Sequence, residues 1–414
     1  MARESGWVRE VDWLDVFPWL GLVGAVSRAI WPPHKILLAM LGVWLTWAGW
    51  SAISWSIAGT ALQDQAAVYR QSPWAHETGR LGWISYTPGE TSVDAASRFA
   101  AHATVAPPAW YTRPFWDMFS PARSFAGVGL AFLCGLWAVA VWTFFGGVLT
   151  RLAAVELTRQ NEASLFSAIG YASRRWRSYA VSALFPLLGV FAALVVPAAI
   201  AGLVARFDVG FFLVALLWPL GLLLGFVAAT LLIAWLLGWP LIWATVSTEA
   251  ADDPFDVFSR VFSYVWQRPF HYAFYVVVAA ALGIIGWLIV SLLAELSLFL
   301  AAWGLSWGRG AQPTAEAIRG AGATAAVLAF WTNLVYFAVL AYLHSYFWTA
   351  ATGVYLLLRY SRDGTPLDDV DLEDASELYA TSPMDRLATD ARPGDGAHGT
   401  KRQEPPIPSV GSPR

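Results

Sequence analysis

Three residues in the last third of the chain carry groups able to move protons or hold ions while lying within apolar runs: Glu295, Asn333 and His344. Ser291 stands one helical turn before Glu295, and Asn333 and His344 are eleven positions apart, so each set shares a helix face. An ionisable group at membrane depth is costly unless it is paired or wet, so such residues mark either an ion or proton path or hydrogen bonds between helices. A Glu295, Asn333 and His344 track would serve transport. The same residues bonded to neighbouring helices would lock a bundle, and locking is the plainer reading.

A second constellation occurs twice. Glu156, Tyr171, Arg175 and Tyr179 are matched by Glu249, Tyr264, Arg268 and Tyr272, each pair 93 positions apart. Tyrosine and arginine at four-residue spacing, beside the start of an apolar helix, suit the bilayer interface, where aromatic rings and guanidinium groups reach the headgroups. Paired arginines could also hold lipid phosphates or an acidic segment of a partner. Glu156 and Glu249 are expected to pair with nearby arginines or to cap helix ends.

No catalytic constellation stands beside these. The chain has no P-loop, GxSxG, HExxH or dinucleotide fingerprint. Its single cysteine, Cys134, permits neither an intramolecular disulfide nor a cysteine metal cluster. The acidic run after Arg362 lacks the spacing and central glycine of a calcium loop. The expectation is a non-enzymatic protein with no cofactor.

The elements that must position these residues belong in lipid. With 57% apolar and 13% charged side chains, the composition is far from that of soluble domains, where about a quarter of residues are charged. A formal charge of −3 gives no basic excess and no reason to expect nucleic acid. The expected fold is all-α: a polytopic bundle of six transmembrane helices near 34–59, 124–156, 179–204, 211–246, 270–300 and 324–358. It carries a tandem repeat and two interfacial amphipathic helices.

Residues 1–33 read as an interfacial segment closed by Pro32 and Pro33, and 62–121 as an extramembrane loop packed on helix ends. Residues 362–414 read as an acidic and then disordered tail. The amphipathic stripes are Leu165, Ile169, Ala172 and Trp176 in the first unit, and Phe255, Phe258, Phe262 and Val265 in the second. Asp253 followed by Pro254 forms an N-cap with proline at the first helical position. Pro219 and Pro240 leave open whether the run 211–246 is one helix or is broken.

Runs two, four and six are each roughly 33 to 36 residues, about 50 Å of helix, against the ~30 Å of a bilayer core. They are expected to continue past the cytoplasmic interface, where the amphipathic segments cover them. With both termini cytoplasmic, 18 of the 26 basic residues fall on the inner side, which favours that orientation in a cell inner membrane.

The segments Gly146 to Tyr179, Thr245 to Tyr275 and Ser345 to Val370 resemble a family of bacterial multi-pass membrane proteins without established activity. Their helix, amphipathic segment, helix unit is similar to membrane domains found beside some glycerophosphodiester phosphodiesterases. The resemblance implies architecture only, since no counterpart of the phosphodiesterase catalytic domain is present. The functional expectation is a scaffold or partner-binding subunit, in contact with the bilayer and with membrane-protein partners or further copies of itself. The alternative is a transporter or lipid-handling protein working between the two repeats.

Overall fold

The structure, a computed structural model, describes residues 17–72, 106–120, 122–159, 163–249, 253–319 and 322–367. The rest of the expected tail and loop, including the acidic residues from Asp368 onward, lies outside the described residues. Among those described, the chain is helical and has no strand.

A single-turn 3-10 helix (Pro18–Leu22) and α1 (Val23–Arg28) precede α2 (His34–Ser56), α3 (Gln63–Arg70) and α4 (Ala106–Met118). There follow α5 (Phe125–Arg159), the amphipathic α6 (Leu165–Arg174), α7 (Trp176–Val190) and, across a π turn at Phe191–Val195, α8 (Val196–Val204). The chain then forms α9 (Asp208–Leu216), α10 (Trp218–Glu249), the amphipathic α11 (Pro254–Gln267), α12 (Pro269–Arg309), α13 (Ala311–Arg319) and α14 (Ala323–Asp363). Six of these runs are long and apolar enough to cross a membrane: α2, α5, α7 with α8, α10, α12 and α14.

Local chemistry accounts for most of the boundaries. Asp253 accepts a hydrogen bond from Phe255 N at 2.9 Å with Pro254 in the first turn, as its sequence requires. The run 211–246 is broken: helix stops at Leu217, before Pro219, and the first piece reaches back to Asp208. The π turn falls between Pro186 and Pro197, whose missing N–H groups loosen the ladder there. α12 runs to Arg309, nine residues past its expected end, and Gly310 at φ 92° stops it. Gly364, in the left-handed region, closes α14 and donates its N–H to Tyr360 O.

α5, α10 and α14 pack against one another and form the centre. All three end on the same side, here termed the collar, and that is where they are buried: Gly238 to Thr248 on α10 and most of Val339 to Arg359 on α14. The opposite half of α10, from Leu220 to Leu237, exposes most of its large apolar side chains, as a lipid-facing helix does. The contact is close. Trp243 of α10 stacks on Trp348 of α14 at 4.6 Å, and a Cβ added to Gly146 of α5 would lie 2.4 Å from the Trp243 ring.

The helices that start at the collar wrap this centre. α2 packs on both α5 and α14, and α7 packs on both α10 and α5. α12 packs extensively on α14 and only sparsely on α10. α6 lies on α5, α11 lies across α10 and α7 and reaches α14, and α1 lies on α14, α5 and α12. The stripe expected on α11 is rotated: Val257, Val261, Tyr264 and Val265 are buried, while Phe255 is exposed and touches Phe185 of α7. Phe258, Phe262 and Trp266 stack in a row beside that buried face, running from the half-buried Phe258 against Phe185 of α7 to the exposed Trp266. The reason is that α11 is apolar on two faces, and the slimmer valines fit against the central helices.

The expected extramembrane loop departs from expectation in one part. α4 packs along α5, and Tyr111 is buried among Trp142, Trp239 and Trp348. Trp142 is the midpoint of α5, so this 13-residue helix enters the bundle to about half depth. Its outer end is held by Asp117, which accepts from Tyr69 of α3 and from Arg123, each at 2.6 Å.

Candidate functional site

The repeated residues converge on the collar. At the end of α5, Glu156 is ion-paired with Lys35 of α2, and Lys35 Nζ also donates to Arg28 O at 2.8 Å. Both side chains are buried, and the pair bolts α2 to α5. Glu249, at the end of α10, accepts from Arg260 of α11 and from the Tyr355 hydroxyl of α14, with Arg359 4.0 Å away. One carboxylate thus joins three elements.

Tyr171 and Tyr264 play parallel parts. Tyr171 on α6 donates to Val246 O of α10 at 2.7 Å, and its ring carries the guanidinium groups of Arg151 at 3.9 Å and Arg175 at 5.2 Å. Tyr264 on α11 donates to Asp363 of α14, with Arg362 5.4 Å from its ring. Burial, and then the neighbouring Asp363 and Glu249 carboxylates, push the Tyr264 phenol well above its ordinary pKa. The Asp256 and Glu249 carboxylates hold the Arg260 guanidinium in its charged form, raising its pKa against a smaller opposing effect of burial.

Beneath these lies a hydroxyl chain. Tyr179 and Thr150 each share a 2.7 Å hydrogen bond with Ser247 Oγ, while Arg151 Nη1 donates to Ser247 O at 2.7 Å. The Tyr272 hydroxyl of α12 donates to Leu237 O of α10 at 2.6 Å.

This geometry corrects the reading of these residues as interfacial lipid or partner contacts. Tyr171, Tyr179, Tyr264 and Glu156 are buried, because a phenol or carboxylate with a partner inside the bundle gains more there than at the headgroups. Arg175 stands at the residue before α7 and is half-buried, and Arg268 stands at the residue before α12 and is exposed. Of the eight, Arg268 alone is exposed.

The expected polar track does not assemble. Glu295 accepts from Tyr336 of α14 at 3.1 Å, Asn333 is exposed, and His344 lies far along α14 with 2% of its surface accessible. The His344 ring shares a hydrogen bond through Nδ1 with the Tyr111 hydroxyl and stacks on Trp142 at 5.6 Å. A tyrosine–imidazole pair can exchange a proton, but here it is walled in by Trp110, Trp142 and Phe347 and joins α4 to α14. Among the described residues no group of three or more metal-ligating side chains comes together.

Sequence reasoning missed Lys35, Arg151, Tyr111, Tyr355 and Arg359. Two signals could have found some of them. Lys35 is one of only two lysines, and it stands beside an apolar run. Tyr355 and Arg359 repeat the tyrosine and arginine spacing of Tyr171 with Arg175 and Tyr264 with Arg268. The chain matches no family model, no curated protein and no solved structure.

Proposed function

We propose that the protein is a non-enzymatic scaffold or partner-binding subunit of the cell inner membrane, with the collar as its working surface. The observation that carries this is the contrast between the collar's interior and its rim. Inside, Glu156 and Glu249 are ion-paired across helices and the buried tyrosines bond to carbonyl, hydroxyl or carboxylate groups. Outside, Phe166 (84% exposed), Trp176, Phe255, Trp266 and Phe270 (86% exposed) stand among the exposed Arg174, Arg177 and Arg268. Aromatic and arginine side chains on a rigid frame are the composition of protein interfaces, where they supply most of the binding energy.

The orientation that fits this role places the collar and both termini in the cytoplasm. The 93-residue offset, with Tyr171 and Tyr264 each bonded to the next central helix, supports a tandem duplication whose units run in the same direction. A proton-coupled path through Glu295, Asn333 and His344 has no support from the geometry, since the three do not meet. The resemblance to bacterial multi-pass membrane proteins agrees with an architectural role and brings no hydrolase activity.

The test is a photo-crosslinking amino acid placed in vivo at Phe166, Trp266 or Phe270, with Leu222 on the lipid-facing half of α10 as control. Discrete protein adducts at the collar positions, absent at Leu222, are the expected result. Lipid-only adducts at all four, together with a monomer on mild solubilisation, would overturn the reading.

A further inference from the structure

α2 bridges two central helices, as does α7, whereas α12 packs extensively on α14 and meets α10 sparsely, with the Tyr272 hydroxyl bonded to Leu237 O. Between α10 and α12 lies a cavity of about 170 Å³. Pro240 and Leu241 form one wall, Val276 and Ala280 the other, Ala350 and Ala351 the floor, and Pro107 at the inner end of α4 also lines it. It follows α12 from Tyr272 to Gly283 and α14 from Leu343 to Val354. Each stretch rises about 16 Å at 1.5 Å per residue, so the space is long and narrow. Its hydroxyls are already bonded: Tyr272 donates to Leu237 O and Tyr346 to Ala279 O, each at 2.6 Å.

We propose that this cleft is a lateral binding site for one hydrocarbon chain of a phosphate-bearing membrane lipid. A transmembrane helix of a partner, ~10 Å across, is too wide for it. A polar small molecule would need convergent donors and acceptors, and the tyrosine hydroxyls of this cleft are already bonded to carbonyls. A flexible acyl chain entering sideways from the bilayer fits both the shape and the chemistry. The headgroup is placed by Arg268, which lies one helical turn on the collar side of Tyr272, is exposed, and has no carboxylate partner among the described residues. A guanidinium there meets a lipid phosphate at the mouth of the cleft. The proposal stands apart from the scaffold role, because it concerns the protein alone with lipid.

Full-length protein is reconstituted in phosphatidylcholine vesicles doped with phosphatidylglycerol that carries a photoreactive diazirine within one acyl chain. A parallel set contains a diacylglycerol with the same chain. Labelled peptides are mapped by mass spectrometry. Labelling at Val276, Ala280 and Ala351 should exceed labelling at the more exposed Leu220 and Leu223 of α10. Ala280→Phe, or Ala351→Phe from the floor should the first variant fail to fold, should cut cleft labelling about tenfold and leave α10 unchanged. Arg268→Gln should cut cleft labelling by the phospholipid about threefold and leave the diacylglycerol unaffected. Labelling that follows exposure alone in the native protein overturns the site. Equal labelling by both lipids, indifferent to Arg268→Gln, overturns the phosphate contact.

Discussion

At the scale of single residues, the collar shows how a membrane protein keeps charges out of water. Lys35 and Glu156 are both buried, and removing one partner leaves the other's charge in a poorly solvated place. Lys35→Met is therefore expected to destabilise the protein by about 3 to 5 kcal/mol, read from unfolding in detergent. A double change, Lys35→Met with Glu156→Leu, should recover much of that loss, because an apolar pair removes the uncompensated charge. Tyr264 leads to a pH dependence. Its folded pKa is raised above that of the unfolded chain, so its contribution is complete below about pH 10 and is lost as the pH climbs beyond that value. Thermal melts between pH 8 and pH 11 should fall less steeply for Tyr264→Phe than for the native chain. Of these residues, Glu156, Glu249, Tyr171 and Tyr264 were legible because they recur at a fixed offset. Lys35 and Tyr111 were not, since nothing in their own neighbourhoods names partners more than a hundred positions away.

At the scale of elements, the length and apolar content of each span gave away its existence, while its ends depended on contacts the sequence does not display. The 23 residues of α2, apolar over most of their length, span a bilayer core by themselves, and that needs no tertiary information. α4 was illegible for the opposite reason. Thirteen residues with three prolines read as loop, and the segment is helical within the bundle because Tyr111 has His344 and four aromatic rings of other helices to meet. The contact between α5 and α10 depends on a missing side chain at Gly146. Gly146→Leu would drive a branched group into the Trp243 ring, and the backbone of a central helix cannot yield easily. The expected cost is about 1 to 3 kcal/mol, visible as a lower melting temperature and a change in tryptophan fluorescence.

At the scale of the whole molecule, orientation is the property most open to test. Cysteines placed at Arg177 and at Arg268, in a background with Cys134→Ala, should both react with an impermeant maleimide from the cytoplasmic face and from neither side when that face is sealed. Labelling from opposite faces would break the parallel arrangement of the two amphipathic segments. Cys134 is buried, and replacing it with alanine removes a single sulfur atom, so the bundle should stay assembled.

The half-inserted α4 also fixes an order of assembly. At 13 residues it is too short to be released into the bilayer as a span during synthesis, and its partners Trp239 and His344 are made long after it. The segment must wait outside until the C-terminal helices have arrived, and only then dock. A chain stalled before residue 320 should leave a cysteine placed at Thr112 open to a water-soluble thiol reagent, whereas the finished chain, in which that position is buried, should protect it. Maturation of this protein is then a closing step that begins only once α14 has been made, and a quality-control protease would have its best opportunity before it.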